Sequence, residues 1–165
     1  MKILGVDTSV RSSGWGVVES VGSSVAALGF GTIPNPPARK LSECLKQIYS
    51  RIVSLIAEFR PDAVAVEGVI YAKNARTMLI LGQARGAVIC AASAHGTPVF
   101  EYEPRRVKQS VCGNGLAEKE QVQRMIKTLL HLETIPQNDA ADALAIAIAH
   151  IHSVSGIAAL APMPI

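Results

Sequence analysis

The chain reads as one α/β domain built on a mixed five-stranded sheet, three antiparallel strands followed by parallel ones, with helices on both faces. Three observations predict this. The first third holds three strand-like runs joined by links too short for anything but antiparallel turns. Beyond residue 36, helical and strand patterns alternate, the order that builds parallel pairs. The run AVAVEG (63–68) is continuously apolar, as in a strand covered on both sides.

Taken in order, KILGVD (2–7) and GWGVVES (14–20) are strands, and after the turn VGSS the run VAALGFGTI (25–33) is a third. NPPARK breaks the pattern. Leu41, Leu45, Ile48, Ile52, Ile56 and Phe59 then recur at steps of three and four, an amphipathic helix stopped by Pro61. AVAVEG is the fourth strand, a helix fits 75–95, and TPVFEY (97–102) is the fifth strand. Helices fit 104–111, 118–131 and 139–152. The last of these, NDAADALAIAIAHIH, is apolar nearly all round, so it is expected to be buried. Residues 1–153 form the domain, and 154–165, apolar but broken by Gly and Pro, form a loose tail.

At 165 residues and 49% hydrophobic, the chain has ample material for one core. Cys44, Cys90 and Cys112 are odd in number and irregularly spaced, which fits neither a zinc site nor a disulfide framework and points to a reducing compartment. No secretory leader and no apolar run of roughly 18 residues is present, so the expected setting is cytoplasmic, away from membranes.

Acids appear where buried elements should not carry them. Asp7 and Glu67 end the first and fourth strands, and Asp139 and Asp142 share one face of the last helix. Taken alone, Asp7 also suits a turn initiator and Asp139 a helix start. For Glu67 the following Gly68 suggests a backbone making room for something. If the two strands lie side by side and the last helix packs over their ends, all four acids meet. Packed carboxylates take up protons unless a cation compensates them. Oxygen donors of this kind suit Mg²⁺ or Mn²⁺, and a pair of ions about 3.5 to 4 Å apart is suited to phosphodiester hydrolysis. The net charge of +3 conceals a basic remainder: without those four acids, nine of the 13 acidic residues face 16 basic ones, leaving +7, a polyanion-binding balance.

The segments ILGVDTSVRSSGWGVV, VEGVIYAKNA, LGQARG, PVFEYEPRRVKQSVCGNGLAEKEQVQ and NDAADALAIAIAHIH together resemble the bacterial RuvC Holliday-junction resolvases, along nearly the whole chain to about residue 153. The resemblance implies a ribonuclease-H-like fold and a homodimer that nicks four-way DNA junctions, with branch-migration proteins as partners. It places the family's metal-binding acids on Asp7, Glu67, Asp139 and Asp142, and its important lysines on Lys108 and Lys119. Two departures stand out. Thr8 and Ser9 replace the family's usual Pro and Gly after the first acid, and Ile70, with Tyr71 beside it, stands where the family often has a base-stacking aromatic.

Expected DNA contacts are Tyr71, Lys73, Arg76, Arg105, Lys108 and Lys119. GNGLAEKEQ offers two readings: free amides at a helix start facing a phosphate with Lys119 one turn in, or an Asn-Gly turn into a surface helix. His150 and His152, near a helix end, are expected to meet its carbonyls. Gly82 and Gly86, one turn apart, either let a second copy approach the helix over 75–95 or fit that helix to its own sheet. Two rival functions remain. ILGVDTS also looks like the first phosphate loop of actin-like ATPases, although the chain has room for one lobe only. A junction-binding module that does not cut is the other, although a binder gains nothing from acids facing phosphates.

Overall fold

The computed structural model describes residues 1–68, 74–155 and 162–165. Its elements are β1 (Lys2–Asp7), β2 (Ser12–Val21), β3 (Ser24–Pro34), α1 (Leu41–Phe59), β4 (Ala63–Glu67), α2 (Ala75–Ser93), β5 (Val99–Tyr102), α3 (Pro104–Cys112), α4 (Lys119–Leu129) and α5 (Asn138–Val154). The sheet runs β3-β2-β1-β4-β5, with β1–β2 and β2–β3 antiparallel and β1–β4 and β4–β5 parallel. This is the predicted mixed sheet.

Alternation along the strands divides the core in two. Leu4, Val6 and Val17 face α1 and α2, whereas Ile3, Val18 and Ala65 face α5 with α3 and α4 beyond it. The amphipathic stripe of α1 buries Ile48, Ile52 and Leu55, each contributing about 1.5–3 kcal/mol. Its end is a left-handed Arg60 (φ 49°) whose N–H donates to Ile56 O at 2.9 Å, so the chain has already turned when Pro61 arrives.

Helix α5 is buried from Ala143 to Ile151 without interruption, because it lies between the sheet and two further helices. It touches the sheet backbone directly. A Cβ at Gly5 would sit 2.0 Å from the Ala143 carbonyl oxygen, and one at Gly14 1.8 Å from that of Asp139. Small residues on β1 and β2 therefore set the height of the helix over the strands. At the far edge, the Ile165 N–H donates to the Val99 carbonyl on β5 at 2.9 Å.

Candidate active site

Register brings the first two acids together. Val6 pairs with Val66 across the parallel β1–β4 ladder, so Asp7 and Glu67 emerge beside one another at the same end of the sheet. Asp142, one turn into α5, meets them over the strand ends. Asp7, Glu67 and Asp142 line a cleft of about 340 Å³ together with Lys108 of α3 and Lys119 of α4. Asp139, in the first turn of α5, stands at its margin, where its Oδ2 accepts a hydrogen bond from the Ser12 hydroxyl.

The electrostatics are those of crowded carboxylates. Asp7 is pushed up from 3.8 to about 7, first by burial and then by Glu67, Asp142 and Asp139, with Lys119 opposing. Burial and Asp142 raise Glu67, against Lys119 and Lys108. Burial also raises Asp142, again opposed by Lys119, whose Nζ lies 3.7 Å from Asp142 Oδ2. Two lysines do not balance the cluster. Among the described residues, no three acidic, His or Cys side chains are already gathered tightly enough to hold one ion. Like charges spread unless a cation draws them in, and the donor set, all hard carboxylate oxygens, suits a divalent one.

The other predicted contacts scatter. Arg76 lies at the exposed start of α2, beside a shallow groove it shares with Ser9 and Arg11. Arg105 and Arg106 border a separate groove with Gln109 and Leu116. Tyr71, Lys73 and the substituted position Ile70 lie outside the described residues.

Three expectations need correction. Lys119 is the first residue of α4, not one turn in, and the amides there are not free: Glu118 and Gln121 form a reciprocal capping box, with the Gln121 carboxamide accepting from Glu118 N–H at 2.9 Å. The glycines serve α3 instead, Gly113 closing it in the left-handed region (φ 70°). Among the described residues, His150 hydrogen-bonds to no carbonyl. Buried, it places Nδ1 2.8 Å from the Tyr102 hydroxyl, and His152 places Nδ1 3.0 Å from Ser110 Oγ. Finally, Gly82 and Gly86 do not fit α2 to its own sheet, since a Cβ at either would meet open space.

Some parts of the site were not read from sequence. What Gly68 makes room for is Glu101: an added Cβ would lie 2.9 Å from Glu101 Oε1, and that carboxylate is paired with Arg85 of α2. The turn after Asp7 is tied by the buried Ser13 hydroxyl, which accepts from the Ser9 N–H at 3.2 Å and donates to the Ser9 carbonyl. The hydroxyls of TSVRSSG were visible, but the partner of Ser12 depends on how α5 sits across β2.

Fold and site define a ribonuclease-H-like domain with an acidic, lysine-flanked cleft at the ends of its central strands. The solved structure of Thermus thermophilus RuvC in complex with Holliday junction substrate superimposes with a TM-score of 0.92 at 33% identity, covering 100% of this chain and 99% of that one. The relative from Cronobacter sakazakii, a crossover junction endodeoxyribonuclease RuvC, is 53% identical over 150 residues, 91% of this chain and 86% of its own. That from Syntrophomonas wolfei, of the same name, is 45% identical over 154 residues, 93% and 90% of the two chains. The family described as crossover junction endodeoxyribonuclease RuvC matches residues 3–150. The chain belongs to the RuvC family. Neither rival expectation, a nucleotide-binding lobe or a silent binder, gains support from these matches. Among the described residues, no helix is long and apolar enough to cross a membrane.

Proposed function

We propose that the protein resolves four-way DNA junctions by hydrolysing phosphodiesters at this cleft, with Mg²⁺ as the cofactor and Mn²⁺ able to replace it, two ions to a site. The observation that carries the reading is the convergence of Asp7, Glu67 and Asp142 with Lys108 and Lys119 in one cleft, Asp139 at its margin. The four carboxylates would hold the metal, which when bound activates water and stabilises the leaving oxygen. Lys119 and Lys108 stand beside the acids as positive charges, suited to offsetting charge that develops on a phosphate in the transition state. Arg76 and Arg105, exposed and not among the residues lining the cleft, suit contacts with DNA backbone, Lys73 carries the same role from the sequence, and Tyr71 that of stacking on a base.

A junction needs two opposed nicks, and one chain has one acid cleft. The reading therefore includes a twofold pair. Its contact is placed on α2, where Leu79 is 69% exposed beside Met78 and Gly82 in an open apolar groove. Action on chromosomal DNA alongside branch-migration proteins in the cytoplasm completes the picture. The test is cleavage of a synthetic four-way junction with Mg²⁺, next to a linear duplex of the same sequence. Junction-selective paired nicks support the reading. Equal cutting of both would overturn the junction assignment, and no cutting of either would overturn the nuclease itself.

A further inference from the structure

Ser12 opens β2, and its hydroxyl donates to Asp139 Oδ2. We propose that Ser12 is a positioning residue for the Asp139 carboxylate: by engaging Oδ2 it fixes the rotamer and turns the other oxygen toward the remaining acids. The proposal rests on the metal-dependent reading above. It identifies a part of the site that no acid or lysine of the sequence pattern supplies.

Both ends of the hydrogen bond are anchored. On the strand side, Ser13 ties the loop through Ser9, and the Arg11 carbonyl accepts from the Asn35 N–H at 2.8 Å. The Arg11 guanidinium donates to the Pro36 carbonyl at 2.9 Å. Ser12 is thus held between two pinned neighbours. On the helix side, the Asp139 backbone lies against Gly14, too close for any Cβ. The Cα of Asp139 is consequently fixed, but its half-buried side chain at the cleft margin is fixed only by what bonds to it. Ser12 is its one hydrogen-bonding side-chain partner among the described residues. Asp142 differs: it points into the cleft and has Lys119 beside it.

A hydroxyl donating to a carboxylate is a charge-assisted bond that leaves the second oxygen with its full acceptor capacity. Groups that orient a metal ligand in this way typically change metal affinity by about 10–100-fold when removed. The hydroxyl also carries no charge, so it orients Asp139 without competing with a cation for it, as a lysine would.

The experiment is Mn²⁺ titration of the full chain without DNA, followed by the electron paramagnetic resonance signal of free Mn²⁺, for the wild type, Ser12→Ala and Ser12→Thr. Circular dichroism and junction binding in EDTA check that each variant is folded. Ser12→Ala is expected to need about tenfold more Mn²⁺ for half-saturation, and its cleavage rate should approach wild type at high metal. Ser12→Thr, which keeps the hydroxyl, should restore the affinity. Wild-type affinity in Ser12→Ala, or equal loss in Ser12→Ala and Ser12→Thr, overturns the positioning role while leaving the metal site intact. A wild type that binds no Mn²⁺ overturns the metal-dependent reading and this proposal with it.

Discussion

Replacing Asp7 by Asn should make the metal-free protein more stable at pH 8, although it removes an acid at the centre of the site. The rise from 3.8 to about 7 means that ionising Asp7 in the folded state is unfavourable. Between those two values the native chain holds a proton there that the unfolded chain has lost. Stability therefore falls as pH rises through that window, and the loss is complete above about 7. At about 1.4 kcal/mol per pH unit the ceiling is about 4 kcal/mol. Asp7 is partly exposed and its neighbours share the repulsion, so about 1–3 kcal/mol is the working range. Asn is nearly the same size and neutral throughout, so the variant escapes the loss. Urea unfolding of both proteins in EDTA between pH 4 and 8 should show near-equal stability at pH 4 and a gap that widens toward pH 8. At about 2–4 °C per kcal/mol for a chain of this length, a 2 kcal/mol gap is a melting shift of about 4–8 °C. Excess Mg²⁺ should narrow it by compensating the wild-type carboxylates. A gap that stays constant with pH, or an Asp7→Asn protein less stable than wild type at pH 8, would refute the crowded-charge account.

Four other outcomes are expected. Asp142→Asn should keep fold and junction affinity while lowering the single-turnover cutting rate at least about 100-fold, since it removes a ligand charge at constant size; unchanged cutting would place Asp142 outside the chemistry. Lys119→Ala should lower that rate about 10–100-fold at saturating metal, and a change confined to the salt dependence of binding would make it a backbone contact instead. Gly86→Leu should shift the sedimentation of the free protein from about twice 17.4 kDa toward one chain mass; a dimer unaffected by this change would move the contact off α2. Tyr102→Phe should cost about 1–3 kcal/mol in urea unfolding at pH 7, because it strips the partner from buried His150. Burial holds His150 down at about 4 against 6.5, so its contribution is present above 6.5 and is lost as pH falls toward 4.

Much of this was legible because each signal was local and redundant. The acids ending β1 and β4 follow apolar runs that could only be buried strands, and the alanine-rich helix after them could only be covered on all sides. Of the two readings of the start of α4, the anion cradle fails for a physical reason. Two glycines and an Asn looked like an anion cradle, but Glu118 supplies the anion from the chain itself, three residues before the Gln that completes the cap. His150 was misplaced because its distance along the helix suggested an end, whereas the fold buries that end against Phe100 and Tyr102. Ser12 could not be read at all, since its partner is 127 residues away.

The absence of a side-chain layer between α5 and the strands at Gly5 and Gly14 has a mechanical consequence. Backbone resting on backbone leaves no rotamers to absorb displacement, so Asp7 and the two aspartates of α5 behave as parts of one rigid plate. The lysines ride on α3 and α4, which pack against α5 through side chains that can repack. On the proposed reading, the site is therefore stiff where charge is concentrated and compliant where the lysines would meet a DNA strand. Substitutions that thicken the plate at Gly5 or Gly14 should alter the spacing of the acids as a set, while changes beneath α4 should alter only how the lysines approach them.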